Sequence, residues 1–304
     1  STFKNANGTE ISIVNYLSGK ELNNIVICEG ITGVADDVFY SENGVDTVNI
    51  SLPSTLTSIG SSAFRNIKAT GIRVNGSLDY IGSNAFYGSG ITKIDLSKSV
   101  LTKIEKYAFA NCKSLTTVIL PNTVKEIREG AFYSSGLTKI QLPESVVNLG
   151  KKAFSNCLSL VKITIENNGI TIYADSQNKA DNAFGYDDSG MLIKNDVAYS
   201  PSNYAIVNQA IMVDADLSST AFEYAENNNL VVFSENQKAD KSGYIQESIP
   251  AKWYYFEDTK TMYIEGVFNL AKYKFHMYEN NYIMLGGDGS FTNEDGSPID
   301  GLDV

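Results

Sequence analysis

The chain has 304 residues, with 24 Lys and Arg against 35 Asp and Glu, a formal net charge of -11 and 43% hydrophobic residues. That length holds one long repeat domain or two compact ones, and uniform acidity repels nucleic acid and anionic membranes. No apolar run approaches the roughly 18 residues of a membrane span. No charged segment followed by an apolar one opens the chain, so neither a signal peptide nor membrane insertion by this chain is expected.

In chain order, residues 1–21 come first and are expected to act as an N-terminal cap. A strand at 10–17 would cover backbone groups left unpaired at an open edge. From residue 22 the sequence repeats itself. The dipeptide Ala-Phe recurs at Ala63-Phe64, Ala85-Phe86, Ala108-Phe109, Ala131-Phe132 and Ala153-Phe154, with Val38-Phe39 as a variant. Successive Phe positions are 25, 22, 23, 23 and 22 residues apart, and later copies, Ala183-Phe184 and Ala221-Phe222, follow at 30 and 38. Before the dipeptide stands an aliphatic residue, often followed by Gly, as in Ile59-Gly60, Ile81-Gly82 and Leu149-Gly150. Further upstream lie aliphatic pairs spaced by two: Ile25/Ile27, Ile50/Leu52, Ile72/Val74, Ile94/Leu96, Val118/Leu120, Ile140/Leu142 and Ile163/Ile165. A spacing of two puts both members on one side of a short strand. Pro53, Pro121 and Pro143 follow such pairs and end the strand, because proline cannot donate to a ladder.

One such unit cannot bury its aliphatic pair and its Phe alone. Stacked units can, strand beside strand and Phe upon Phe, which makes one continuous core. Parallel strands need a crossover of a dozen or more residues, and the remainder of each unit supplies it. The expected architecture is a solenoid of parallel strands with short helical or irregular crossovers over 22–235, regular over 22–172 and degenerate over 173–235.

The pattern closely resembles the BspA-like leucine-rich-repeat family of bacterial surface proteins. The shared form is an aliphatic strand, Pro, a second aliphatic, Ile-Gly-x-x-Ala-Phe and Asn-Cys, the last seen at Asn111-Cys112 and Asn156-Cys157. Ser134-Ser135 and Gly88-Ser89 depart from it. The resemblance implies a leucine-rich-repeat solenoid at the cell surface or outside the cell, adhering to or interacting with a host. It implies an extracellular protein or glycan as partner, and no shared catalytic motif.

Residues alternating with the core pairs point outward and form two columns. One reads Asn24, Asn49, Gly71, Lys93, Thr117, Lys139, Lys162; the other Val26, Ser51, Arg73, Asp95, Ile119, Gln141, Thr164. Together they are expected to form a continuous sheet, the surface that repeat proteins use for binding. Lys93, Lys139 and Lys162 give it a mildly basic stripe. Cys112 and Cys157 share a column two units apart, roughly 9.6 Å at the spacing of stacked strands. That exceeds the reach of a disulfide, so free, buried thiols are expected there.

Past the regular repeats, 174–182 reads as an inserted loop, 191–194 and 205–213 as strands, and 221–229 as a short helix stopped by Asn before a strand at 230–233. The polar stretch 236–243 reads as a linker. Residues 244–304 are rich in aromatics and are expected to form a small antiparallel β region, with strands at 253–257, 261–267, 272–278 and 282–285. Trp253, Tyr254 and Tyr255 are a candidate patch for sugars or proteins. His276 is the only histidine, so histidine-based nucleophilic and metal sites have little material. The oxygen-rich segments 288–290 and 293–297 lack the EF-hand spacing and read as turns. The chain is therefore expected to bind rather than catalyse, with no metal or cofactor. The alternative is a structural spacer that holds a C-terminal glycan- or protein-binding β module.

Overall fold

The computed structural model describes residues 2–4, 10–12, 22–40, 47–197, 207–215, 219–233, 241–245, 251–256, 261–265, 273–277, 283–287 and 291–292. Two compact units divide the chain, one of residues 1–195 and 210–234, the other of 196–209 and 235–304.

The first unit is a parallel solenoid whose turns are joined along three rows. The first row holds the strands that carry the aliphatic pairs: Leu22–Val26, Thr47–Leu52, Gly71–Val74, Lys93–Asp95, Thr117–Ile119, Lys139–Leu142, Lys162–Ile165, Met212–Asp214 and Val231–Phe233. Ile50, Leu52, Ile94, Leu96, Val118, Leu120, Ile140, Leu142, Ile163 and Ile165 are all buried, as the period of two requires. The expected continuous sheet is instead three parallel segments, interrupted between Gly71–Val74 and Lys93–Asp95 and again between Thr117–Ile119 and Lys139–Leu142. The strands between the interruptions are only three residues long. There the rungs keep their places by packing, with Ile72, Ile94, Val118 and Ile140 all at the core.

The second row is made of two-residue strands that carry the aliphatic residue before Gly. Gly33–Val34, Ser58–Ile59 and Tyr80–Ile81 form one parallel sheet. Lys103–Ile104, Glu126–Ile127, Asn148–Leu149 and Thr171–Ile172 form another.

The third row is the Ala-Phe turn. The Phe N–H of each turn donates to the Ala carbonyl of the next: Phe64 to Ala85 at 2.8 Å, Phe86 to Ala108 at 2.8 Å, Phe109 to Ala131 at 2.8 Å, Phe132 to Ala153 at 2.8 Å and Phe154 to Ala183 at 2.7 Å. The rings of Phe39, Phe64, Phe86, Phe109, Phe132 and Phe154 stack in one file, with centroids 5.1 to 5.4 Å apart and planes within 12°. Two positions in each turn adopt the left-handed conformation. The residue before Ala does so at Ser62, Asn84, Tyr107, Gly130 and Lys152, and the second residue after Phe does so at Asn66, Gly88, Asn111, Ser134 and Asn156. Asn and Gly take this conformation at least cost, which is the physical content of the Asn in Asn-Cys. The residue after it points inward. Ser89 and Ser135, which break the Asn-Cys pattern in sequence, share that column with the cysteines: Ser89 Oγ lies 3.3 Å from Cys112 Sγ, and Ser135 Oγ 3.3 Å from Cys157 Sγ. Each thiol donates to a Phe carbonyl one turn below, Cys112 to Phe86 at 2.9 Å and Cys157 to Phe132 at 3.0 Å. Both cysteines are free and buried, and Cys28 is free and exposed.

Above residue 165 the turn lengthens. Lys162 pairs directly with Met212, so 166–211 forms one long crossover that still contributes Thr171–Ile172 to the second row and Ala183-Phe184 to the third. The last turn replaces its Phe corner with the helix Thr220–Asn227, whose Phe222 N–H is capped by the Ser219 hydroxyl at 3.1 Å. Ala221-Phe222 therefore does not extend the file. Tyr224 stands over Phe184 instead, 4.7 Å between centroids and tilted 44°, and its hydroxyl donates to the Phe184 carbonyl at 2.8 Å.

At the N-terminus, Thr2–Lys4 pairs antiparallel with Glu10–Ser12, and the rest of the strand expected at 10–17 lies outside the described residues. Of the strands expected at 191–194 and 205–213, the structure has Lys194–Val197 paired with Val207–Ala210 in a two-stranded sheet, and Met212–Asp214 in the first row. In the second unit, Thr261–Glu265, Ala251–Phe256, Lys241–Ile245 and Phe291–Thr292 lie in that order in one antiparallel sheet, and Tyr273–Met277 pairs antiparallel with Ile283–Gly287. Residues 241–243, expected in the linker, belong to Lys241–Ile245, and 236–240 lie outside the described residues.

Two outcomes test this packing. Phe109 is fully buried between rings 5.3 and 5.4 Å away, so Phe109→Ala is expected to cost about 3–5 kcal/mol in urea unfolding; a change near zero would remove the stacked file as a source of stability. Burial pushes the Cys112 and Cys157 thiols up to about 11. At pH 8 a thiol reagent should therefore titrate one cysteine in the native chain, Cys28, and all three after denaturation. Fast reaction of three native thiols would contradict the burial.

Candidate functional site

The outward columns of the first row are the surface that the repeat offers to a partner. Their registers are aligned where strands pair: Thr117 lies beside Lys93, Ile119 beside Asp95, Lys162 beside Lys139, Thr164 beside Gln141, and Ser51 beside Arg73. The candidate residues nevertheless divide into two groups.

The upper group serves the fold. Lys162 Nζ lies 2.7 Å from an Asp214 carboxylate oxygen, and the Asp214 side chain is only 7% exposed. Thr164 donates to the same carboxylate at 3.4 Å. Gln141 donates to Glu166, whose other oxygen accepts the Glu144 N–H at 3.1 Å. The three-lysine stripe is thus interrupted chemically: the charge of Lys162 is matched by a nearly buried aspartate on the next rung.

The lower group faces solvent. Arg73, Lys93, Asp95, Thr117 and Lys139 are exposed, and Ile119 is 48% exposed at their centre. Asp95 accepts the Ser97 N–H at 2.9 Å, and the hydrogen bonds from Ser97 hold its carboxyl below the ordinary carboxylate range. Among the described residues Arg73, Lys93 and Lys139 have no ion pair.

The opposite situation holds beside the second row, where a cross-rung charge ladder is closed on itself. Arg128 lies 2.8 Å from Glu105 and 3.2 Å from Glu126, and Lys103 lies 3.5 Å from Glu126. Lys106 lies 2.9 Å from Glu129, and Asp181 is held by Lys151 at 2.8 Å and Lys152 at 3.2 Å. The hydrogen bond from Lys106 holds the Glu129 carboxyl below its ordinary range. Glu105 and Arg128 stand where Gly60, Gly82 and Gly150 stand in other turns, so the ladder replaces close backbone contact with paired charge.

The sequence reading missed one cluster. The residue after each Phe forms a column: Tyr40, Arg65, Tyr87, Ala110, Tyr133 and Ser155. In it the Arg65 guanidinium sits between two tyrosine rings, 5.1 Å from the Tyr40 centroid and 4.8 Å from that of Tyr87. Arg65 Nε is buried with no hydrogen-bond partner. Further along, Tyr133 donates to Asp188 and its phenol is pushed up to about 12, by burial first and then by that carboxylate. Aligning the repeats by the Phe period and reading that one column would have placed Arg65 between two aromatics.

Trp253, Tyr254 and Tyr255 lie in the inner strand Ala251–Phe256, registered opposite Gly243, Ser242 and Lys241 on one side and Ile264, Tyr263 and Met262 on the other. His276 lies opposite Met284. The oxygen-rich turns at 288–290 and 293–297 lie outside the described residues. Among the described residues no group of three or more His, Cys, Asp or Glu side chains is placed to hold a metal ion, and no helix is long and apolar enough to cross a membrane.

The division of the outward columns has a measurable consequence. Lys162→Ala removes the countercharge of a nearly buried carboxylate and is expected to destabilise the chain by about 1.5–3 kcal/mol. Lys93→Ala and Lys139→Ala should each stay within about 0.5 kcal/mol. Equal losses at all three positions, measured by chemical unfolding, would show that the upper and lower groups are not different.

Comparison with known proteins agrees with the repeat. The chain matches the model of the BspA type leucine rich repeat region in six copies, over residues 9–102 and 80–179. No curated protein matches the chain. Among solved structures, a leucine rich cell surface protein from Faecalibacterium prausnitzii A2-165 is similar at 19% identity, over 77% of this chain and 70% of its own, with a TM-score of 0.37. A leucine rich repeat protein from T. pallidum is 27% identical over 46% of this chain and 57% of its own, with a TM-score of 0.31. One from Bacteroides ovatus ATCC 8483 is 21% identical over 56% of this chain and 64% of its own, with a TM-score of 0.33. The match thus spans less than two thirds of the last two chains. With the family model covering more than half of the 304 residues, and the Ala-Phe turns it describes stacked in register, this chain belongs to the BspA-type leucine-rich-repeat family.

Proposed function

We propose that this chain is an extracellular binding module that holds a protein or glycan partner against the lower outward columns of its strand row. The observation that carries this reading is the group Arg73, Lys93, Asp95, Thr117, Ile119 and Lys139. Ile119 stands 48% exposed among charged and polar neighbours, while Ile94, Val118 and Ile140 of the same strands are buried. An apolar centre with a polar rim is the anatomy of a recognition surface, and none of these side chains is committed to a cross-rung ion pair among the described residues. Recognition here is by surface complementarity and not by catalysis. A net charge of -11 directs it away from nucleic acid and anionic lipid. Placement at the cell surface is part of this reading and rests on the family.

In this reading 1–21 caps the solenoid of 22–235, and 244–304 is a small β module. The separate compaction of 196–209 and 235–304 favours a second role, in which the solenoid is a spacer and Trp253, Tyr254 and Tyr255 meet the partner.

The test is an array of extracellular-matrix proteins and glycans probed with the intact chain. The comparison variants are Arg73→Glu/Lys93→Glu/Lys139→Glu and Trp253→Ala/Tyr254→Ala. The strand-row reading expects the triple charge reversal to weaken binding by about tenfold or more with the aromatic variant unchanged. The reverse pattern would transfer the function to the C-terminal strands.

A further inference from the structure

Side chains on neighbouring turns meet in columns, as the ion pairs beside the second row do, and a column can also leave a group of them without a protein partner. In the column after Phe such a group exists. Arg65 Nη1 and Nη2, the hydroxyls of Tyr40 and Tyr87, and the side-chain amide of Asn66 have no hydrogen-bond or ion-pair partner among the described residues, and none of these atoms is buried. Some comparable side chains on other turns are engaged, while the Asn111 amide, in the column of Asn66, has no partner among the described residues. Arg128 is shared by two glutamates, Tyr133 is bound to Asp188, and Asn156 donates to Asp188 at 3.1 Å. The Asn66 amide is held beside this column, since a Cβ on Gly88 would lie 2.5 Å from its Oδ1. The two rings lie 5.1 and 4.8 Å from the guanidinium carbon, one on the turn before and one on the turn after. The Nη atoms remain open to a ligand.

We propose that Tyr40, Arg65, Asn66 and Tyr87 form a binding site for a pyranose that carries a single carboxylate. A guanidinium presents parallel N–H donors, the geometry that a carboxylate matches bidentately. The flanking phenols and the amide both donate and accept, which suits the hydroxyls of a sugar better than the main chain of an extended peptide. The net charge of -11 repels polyanionic chains, so the ligand chemistry that fits is one carboxylate on an otherwise neutral, hydroxylated body. This site lies on the Phe-turn side and does not depend on the strand-row reading.

The probes are glucuronic acid and its neutral amide, glucuronamide, titrated into the intact chain by calorimetry, with the tyrosine ring resonances followed by NMR. Glucuronic acid is expected to bind, shifting the Tyr40 and Tyr87 rings, about tenfold or more tighter than glucuronamide. Arg65→Gln should lose about tenfold or more, while Arg65→Lys, which keeps the charge without the fork, should lose less. The Arg73→Glu/Lys93→Glu/Lys139→Glu variant should bind the sugar as the parent does, which separates this site from the strand row. Thermal melting of Arg65→Gln and Arg65→Lys checks that both fold. The proposal is overturned by no binding of glucuronic acid at millimolar concentration, by equal affinity for the acid and the amide, or by folded Arg65→Gln binding unchanged. Tighter binding of a glutamate-containing peptide than of the sugar would replace the saccharide with a protein partner.

Discussion

The N–H of each ladder Phe donates to the Ala carbonyl one turn further on, and this is the one row of the solenoid with no interruption from Phe39 to Phe184. The strand row lapses twice and the second row once. The rings from Phe39 to Phe154 repeat every 5.1 to 5.4 Å, close to the roughly 4.8 Å that separates paired strands. Backbone bonding and ring stacking therefore demand nearly the same rise, and each reinforces the other. The turn can satisfy both because two of its residues go left-handed, one before Ala and one after Phe, which returns the chain sharply enough for the ring to lie inward. Where the position before Ala is Tyr107 or Lys152 and not Gly or Asn, the conformation costs about 1 kcal/mol or more. The stacked core has to exceed that cost at each such turn.

Fixing the phenyl row frees the rest of each turn to vary. Units of 22, 23 and 25 residues coexist, and even the crossover of 166–211 delivers Ala183 to accept from Phe154 at 2.7 Å. The row must also end, and its last rung cannot leave Phe184 with unpaired backbone groups in the core. Tyr224 resolves this by position and chemistry together. Its ring covers Phe184, and its hydroxyl donates to the Phe184 carbonyl at 2.8 Å while lying 3.5 Å from the Phe184 N–H. Beside it Asn228 accepts from Lys179, Asn182 and Tyr186 and donates to the Tyr224 carbonyl, so the long crossover is tied to the terminal helix by polar bonds. A phenylalanine at 224 would supply the ring and leave the carbonyl unpaired.

Much of this was written in the sequence, because a period of 22 to 25 residues repeats every packing decision and errors at one turn are corrected at the next. The aliphatic pairs, the stacked Phe residues and the buried, unbridged Cys112 and Cys157 all followed from columns. Two kinds of information did not. Ser89 and Ser135 looked like departures from Asn-Cys, yet they share its column, because a hydroxyl and a thiol can both sit there against a carbonyl or each other. The tie between Lys162 and Asp214 was also hidden. The next rung of the strand row lies 50 positions away and not 23, so no regular column contains both residues. Ala221-Phe222 matched the dipeptide column while its stretch read as a short helix; the helix is what forms, and a dipeptide in a helix does not present the same face as one in a turn.

A repeat also gives a criterion for function that does not need a known ligand. Every turn has the same structural needs, so a side chain that meets none of them is a candidate for serving an end or a partner. The charges beside the second row meet such a need, since Glu105 and Arg128 take over where glycine is absent and their neighbours extend the pairing. Lys162 and Thr164 meet another, anchoring the rung that follows the long crossover, and Gln141 holds Glu166 where that crossover begins. Ile119 meets none: its neighbours in the strand already fill the core, and its own side chain stands in water at a cost. Arg65 likewise could be replaced by any residue that fills the gap between two rings, yet it carries a charge that nothing among the described residues neutralises. These two side chains sit on different sides of the turn, so the repeat offers two chemically distinct surfaces, one apolar with a charged rim and one a guanidinium between two tyrosines.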